Sequence, residues 1–204
     1  MSAPRGRPTE GSLPPGGKVR SAQAPPTDAA PPAQAASLHL VVMGVSGCGK
    51  TSIGRAVARA LSLEFIEGDE LHPPRNVALM AAGTPLTDAD RADWLATIAS
   101  RLGQAHAARR GLVVSCSALK RCYRDVLRAP CPGLRFVHLH GSAALLHQRM
   151  LARTGHYMPA SLLDSQLATL EPPAADEGAI SVDIGPSPDQ VAATALARLQ
   201  ATAP

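Results

Sequence analysis

Residues 44–51 read GVSGCGKT and fit the pattern G-x-x-x-x-G-K-[ST] at every position. The pattern needs a particular setting, and the flanks supply it. LHLVVM (38–43) is a short apolar run that predicts a strand. KTSIGRAVARALS (50–62) gathers Ile53, Val57, Ala60 and Leu61 on one side of a predicted helix. A chain that runs from strand through a glycine-rich turn into a helix is committed to an α/β layout there. Gly44, Gly47 and Gly49 let the backbone curl so that its N–H groups point at phosphate oxygens. The helix N-terminus adds positive potential. Lys50 is placed to reach the β- and γ-phosphates, and the Thr51 hydroxyl to ligate Mg²⁺. The expected ATP-binding set is therefore Gly44, Val45, Ser46, Gly47, Cys48, Gly49, Lys50 and Thr51. Lysine usage sharpens this. The chain has only three lysines, Lys18, Lys50 and Lys120, among 20 basic residues, so a lysine in the folded part is there for its chemistry.

The alternation continues. EFIE (64–67), GLVVSCS (111–117), LRFVHLH (134–140) and AISVDI (179–184) predict four more strands. RNVALMAAG (75–83) predicts a short helix stopped at Gly83. Thr87 and Asp90 form a T-x-x-D start for a long helix to about Arg110. ALKRCYRDVLR (118–128) predicts another helix, Ser142 caps one running to about Arg153, and a further one covers 160–170. SPDQ (187–190) opens the last helix. The expectation is a three-layer α/β fold: five parallel strands flanked by helices, with ligands beyond the strands' carboxyl ends. EGDELHPPRN (67–76), just after the second strand, suits neither a helix nor a strand.

Composition limits the alternatives. Residues 1–37 are rich in Pro, Ala, Gly and Ser without hydrophobic periodicity, which predicts a disordered tail before a domain at 38–204. The tail carries +2 of the net +4, so the domain has no basic footprint for nucleic acid. No apolar run reaches the length of a membrane span. The four cysteines, Cys48, Cys116, Cys122 and Cys131, form no C-x-x-C pair, and a reducing cytoplasm suits them.

The kind of phosphate-loop protein follows from where the acids lie. No N-K-x-D motif reads guanine, and LVVSCS and FVHLH end without the acid an AAA or ABC ATPase carries. The acids instead follow the second strand, at Glu67 and Asp69. Small-molecule kinases of the shikimate-kinase kind have this layout. VVMGVSGCGKTSIG, GDELHPPRN, GTPLTDADRADWL, SCSALKRCYRDVLR, GHYMP, SQLATLEPP and ISVDI occur in this order. Together they resemble the gluconokinase family, over about residues 38–200. That resemblance implies ATP-dependent phosphorylation of D-gluconate, a sugar acid, on its 6-hydroxyl, and it suggests a homodimer. It makes Asp69 the carboxylate that orients the acceptor hydroxyl and accepts its proton, and Glu67 a residue that holds Mg²⁺ through water.

Around that acid, His72 either bonds a sugar hydroxyl or fixes the turn, and Pro73 and Pro74 keep Arg75 and Asn76 aimed. Arg91 and Trp94 are expected in the pocket wall. Lys120 and Arg124, four apart on one helix face, are expected to clamp the acceptor carboxylate. Residues 149–160 resemble a lid, with Arg149 and Arg153 on the phosphates and Gly155 as hinge. Two departures from the family stand out: Glu67 replaces a common aspartate, and Cys48 a common serine. A partly exposed thiol at that helix start would be acidified and sensitive to oxidation. Two other readings remain open: another small-molecule kinase of the shikimate type, and a non-catalytic ATP-binding module.

Overall fold

The computed structural model describes residues 38–152 and 161–202. The expected tail at 1–37 and most of the expected lid, including Arg153, Gly155 and His156, lie outside them.

Five strands form one sheet: β1 (His39–Met43), β2 (Glu64–Glu67), β3 (Leu112–Ser115), β4 (Arg135–His140) and β5 (Ile180–Asp183). Their order is β2-β3-β1-β4-β5, and every pairing is parallel. β1 sits centrally, with Val41 beside Val114 on one side and Phe136 on the other. β1 and β3 are buried throughout, which explains their unbroken apolar runs. β2 is an edge strand and correspondingly half-buried.

The described residues also form seven α-helices, six between strands and the last after β5: α1 (Lys50–Leu61), α2 (Pro74–Ala81), α3 (Asp88–Ala107), α4 (Arg121–Arg128), α5 (Ala143–Leu151), α6 (Ser161–Thr169) and α7 (Pro188–Ala201). The start signals act as their chemistry dictates. Thr87 and Asp90 form a reciprocal capping box on α3, and Ser187 and Gln190 form another on α7. Ser142 caps α5 by accepting from the Leu145 N–H.

Two segments depart from expectation. The stretch after β2 is more regular than its composition suggests: Gly68–Leu71 is a 3₁₀ turn, and Pro74 opens α2 at its first position. There a missing N–H costs nothing and φ is already set. The helix expected from residue 118 starts only at Arg121. Ala118 takes a left-handed φ of 43° and Lys120 is extended, so the chain after β3 turns before it coils.

The sheet order has a functional consequence. The crossover from β1 runs to β2 on one side, while the crossover from β3 passes β1 to reach β4 on the other, so a crevice opens at the strands' carboxyl ends. The glycine loop after β1, the acid loop after β2 and the turn after β3 all lie along that end.

Candidate active site

The glycine loop owes its shape to close approaches. Gly44 has φ 137°, and a Cβ there would lie 2.5 Å from the Leu139 carbonyl oxygen. Gly49 caps α1 at φ 94°, handing the chain into the helix with its first N–H groups aimed outward. Lys50 is buried, and its Nζ donates to the Val45 carbonyl at 3.3 Å, folding the side chain back over the loop. Ser46 donates its backbone N–H to Gln166 Oε1 at 2.7 Å. Beside the loop a cavity of about 300 Å³ is lined by Gly47, Cys48, Gly49, Ser52, Arg149 and Ile184, among others. Arg149 is held there by a 2.7 Å bond from Nη2 to the Ile184 carbonyl.

Cys48 corrects an expectation. Its side chain is buried, and burial pushes the thiol up from its ordinary value despite the neighbouring Lys50. An acidified, oxidation-sensitive thiol does not describe it.

The acid loop is built on contact between the ends of β2 and β3. A Cβ on Gly68 would lie 2.0 Å from the Ser115 carbonyl, so only glycine fits. The Gly68 N–H donates to Ser115 Oγ at 3.1 Å, and Ser115 Oγ donates in turn to Glu67 Oε1. Trp94 Nε1 donates to the Gly68 carbonyl at 2.7 Å. These bonds lock the backbone on either side of Asp69. Glu67 Oε2 is buried and accepts no hydrogen bond among the described residues.

His72 stacks on Trp94, with ring centres 4.1 Å apart and planes 13° from parallel. Its Nδ1 faces the Asn76 amide nitrogen at 3.4 Å. An amide NH₂ can only donate, so Nδ1 accepts and the ring proton sits on Nε2. Burial lowers the imidazole to about 4, against the pull of Asp69 and helped by Arg91. His72 is therefore neutral near pH 7, with one N–H to donate. The turn-fixing role is the one these contacts describe: Nδ1 meets Asn76 and the ring lies on Trp94.

A small polar pocket joins the two loops. Asp69, His72, Arg91, Trp94 and Ser117 line it together with Ser46 of the glycine loop and Ser165 and Gln166 of α6. Arg91 is buried and donates to the Leu86 carbonyl at 2.5 Å. Of the expected acceptor residues, this pocket gathers Asp69, His72 and Arg91.

Four other expected residues do not line it. Arg75 is exposed and pairs with Asp90 at 3.1 Å. Asn76 is buried but acts through His72 and through a 2.6 Å bond to the Asp90 carbonyl. Lys120 is held by both Asp88 oxygens, at 2.8 and 2.7 Å, and lies over the Tyr123 ring. Arg124 requires a correction. Its side chain is 1% exposed, and it forms a two-pronged ion pair with Glu177, Nε to Oε2 at 2.5 Å and Nη2 to Oε1 at 2.8 Å. Its Nη1 is taken by the carbonyls of Ala118, Leu119 and Glu171. With those groups engaged, the guanidinium pins the 171–177 loop to α4 and offers no clamp to a carboxylate. The shared-face argument fails because Lys120 precedes α4 in extended backbone.

Sequence reasoning missed Ser115, Gln166 and Glu177. Gln166 lay within the SQLATLEPP block without a role, and no local pattern pairs Glu177 with an arginine 53 residues away.

A triphosphate cradle opening onto a second polar pocket with its own carboxylate is the plan of the P-loop kinases of small molecules. Residues 40–173 match the AAA domain family. β3 and β4 end at Ser115 and His140, without the acid that an AAA or ABC ATPase carries there. The gluconokinase of Gluconobacter oxydans is 51% identical over 162 residues, which is 79% of this chain and 91% of that protein. A solved gluconokinase from Sinorhizobium meliloti is 52% identical with a TM-score of 0.74, covering 81% of this chain and 93% of that one. A sugar kinase from a Janibacter species is 48% identical with a TM-score of 0.78, covering 81% and 96%. The chain belongs to the gluconokinase family.

Proposed function

We propose that this protein transfers the γ-phosphoryl group of ATP to the 6-hydroxyl of D-gluconate, giving 6-phospho-D-gluconate and ADP. The observation that carries the reading is the pocket in which Asp69 shares walls with Ser46 of the phosphate loop. Donor and acceptor can meet only where those two loops adjoin.

In the reaction the acceptor oxygen attacks the γ-phosphorus and the bond to the β–γ bridging oxygen breaks. The hydroxyl proton passes to the Asp69 carboxylate. The transition state is loose, so positioning and neutralisation outweigh base strength. Lys50 and Arg149 supply positive charge along the phosphates, and we assign Arg153 the same task. His72 and Arg91 donate to acceptor oxygens, and Trp94 holds the imidazole in plane. Lys120, once released from Asp88, is the cation we assign to the sugar-acid carboxylate.

Thr51 and Glu67 are the residues that would hold Mg²⁺, and the buried, unpartnered Oε2 of Glu67 supports the fit. The ion supplies charge neutralisation at the β- and γ-phosphates when bound. Four free cysteines, three of them buried, support a reducing cytoplasm as the compartment. Among the described residues no helix is long and apolar enough to cross a membrane.

The test is ADP release from ATP and Mg²⁺ with D-gluconate, shikimate, glucose or no acceptor. Turnover with gluconate alone is expected. Turnover with shikimate in its place would favour the shikimate-type reading, and ATP binding without turnover on any acceptor would favour the binding module.

A further inference from the structure

Gln166 is 120 residues from the phosphate loop in sequence and 2.7 Å from it in space. It lies on α6, which follows the expected lid. Its Oε1 accepts the Ser46 N–H, and that bond fixes which way the carboxamide faces. The oxygen is committed to the phosphate loop, so the NH₂ lies on the opposite side of the amide carbon. The same side chain lines the pocket that contains Asp69 and Ser117. Gln166 thus touches the nucleotide half of the site and borders the acceptor half.

The pocket itself encloses only about 30 Å³, room for roughly one water. A six-carbon sugar acid is several times larger. Its arrival therefore requires the pocket to widen, and α6 supplies one of the walls through Leu162, Ser165 and Gln166. Leu162 on α6 packs in a small apolar cluster with Met80 and Leu86, separate from the main core, so this wall rests partly on a minor contact. Leu163 holds the same helix to the main core.

We propose that Gln166 is a positioning residue for phosphoryl transfer, setting the acceptor hydroxyl against the phosphate loop through its carboxamide. The oxygen side registers α6 on Ser46 and the nitrogen side donates to an acceptor or phosphoryl oxygen. This rests on the gluconate kinase reading and adds to it a residue that neither the phosphate-loop motif nor the acid loop contains. Glutamine suits the position because it accepts at one atom and donates at the other without adding charge beside a phosphoryl group.

The test compares Gln166→Glu and Gln166→Ala with the wild type, by steady-state ADP release with gluconate and ATP varied separately and by thermal unfolding. Glutamate keeps the shape and the acceptor for the Ser46 N–H, so a merely structural pin survives it. It loses the donor and places negative charge beside the phosphoryl group. The proposal predicts that Gln166→Glu lowers kcat by about a hundredfold, the scale of losing one transition-state donor. The ATP KM should stay within about twofold and the unfolding temperature should hold. Gln166→Ala should lower kcat less than Glu and raise the gluconate KM. Wild-type kcat in Gln166→Glu overturns the proposal while leaving the gluconate reading intact. Equal losses in Glu and Ala accompanied by a fall in unfolding temperature also overturn it, as a folding effect. A wild type inactive on gluconate overturns both.

Discussion

Replacing Arg124 with methionine should unfold the protein more readily and leave its chemistry nearly intact. Arg124 and Glu177 are each 1% exposed at the side chain. The hydrogen bonds from Arg124 hold the Glu177 carboxyl down at about 2, against the burial that would raise it. Methionine fills much of the arginine stem's volume but donates nothing. It would leave Glu177 without its guanidinium and the carbonyls of Ala118, Leu119 and Glu171 without a donor. Removing one partner of a buried pair costs about 3–5 kcal/mol. For a domain of this size each kcal/mol moves the midpoint by about 2–4 °C, so the loss should be about 6–20 °C. The assay is thermal or urea unfolding beside the gluconate KM at a temperature where the variant is folded. The double variant Arg124→Met, Glu177→Leu should recover much of the loss, because no orphaned charge remains. An unchanged midpoint with a strongly raised gluconate KM would refute this reasoning and restore Arg124 as a substrate clamp.

Other outcomes follow from single contacts. Gly44→Ala should destabilise the domain by about 1–3 kcal/mol, since alanine at φ 137° is strained and its Cβ meets the Leu139 carbonyl; an unfolding midpoint equal to wild type would contradict the packing described. Lys120→Ala should raise the gluconate KM by about tenfold with the ATP KM unchanged, as for a lost charge-assisted bond; an unchanged gluconate KM removes Lys120 from the site. His72 and His138 are both lowered from 6.5 to about 4, chiefly by burial. The folded protein therefore binds fewer protons than the unfolded chain between those values. Stability is fully present above about pH 6.5 and declines as pH falls toward 4, which unfolding midpoints across that range should register. Below about pH 4 the histidine contribution is exhausted, and the further loss comes from Glu177, which is protonated from 4.5 downward in the unfolded chain but only toward about 2 in the folded protein.

The legible part of this molecule was the part with periodicity. The apolar runs of β1 and β3, the capping boxes at Thr87 and Ser187, and the glycine spacing of 44–51 are local signals, and each element lies within a few residues of its expected place. Asp69 and His72 were recognisable in one family block and Arg91 in another, and they converge on one pocket. Arg124 was misread because its role depends on a loop 47 to 53 residues further on. No spacing rule in α4 announces a partner there. The start of α4 was misplaced because Ala118 takes a left-handed turn that residues other than glycine seldom adopt. Gln166 drew no reading of its own because its bond to the phosphate loop spans 120 positions.

The sheet order fixes one further quantity. β2 and β1 are separated only by β3. Adjacent strands lie about 4.8 Å apart, so the roots of the acid loop and the phosphate loop stand about 10 Å from each other. That gauge is set by backbone hydrogen bonds in the most protected layer of the protein, and side chains span what remains. Warming or mild denaturant should therefore loosen α6 well before it alters the spacing between donor and acceptor. Activity lost early in such a titration would report a failure to enclose the substrates, and it should return on cooling for as long as the sheet amides stay protected from hydrogen exchange.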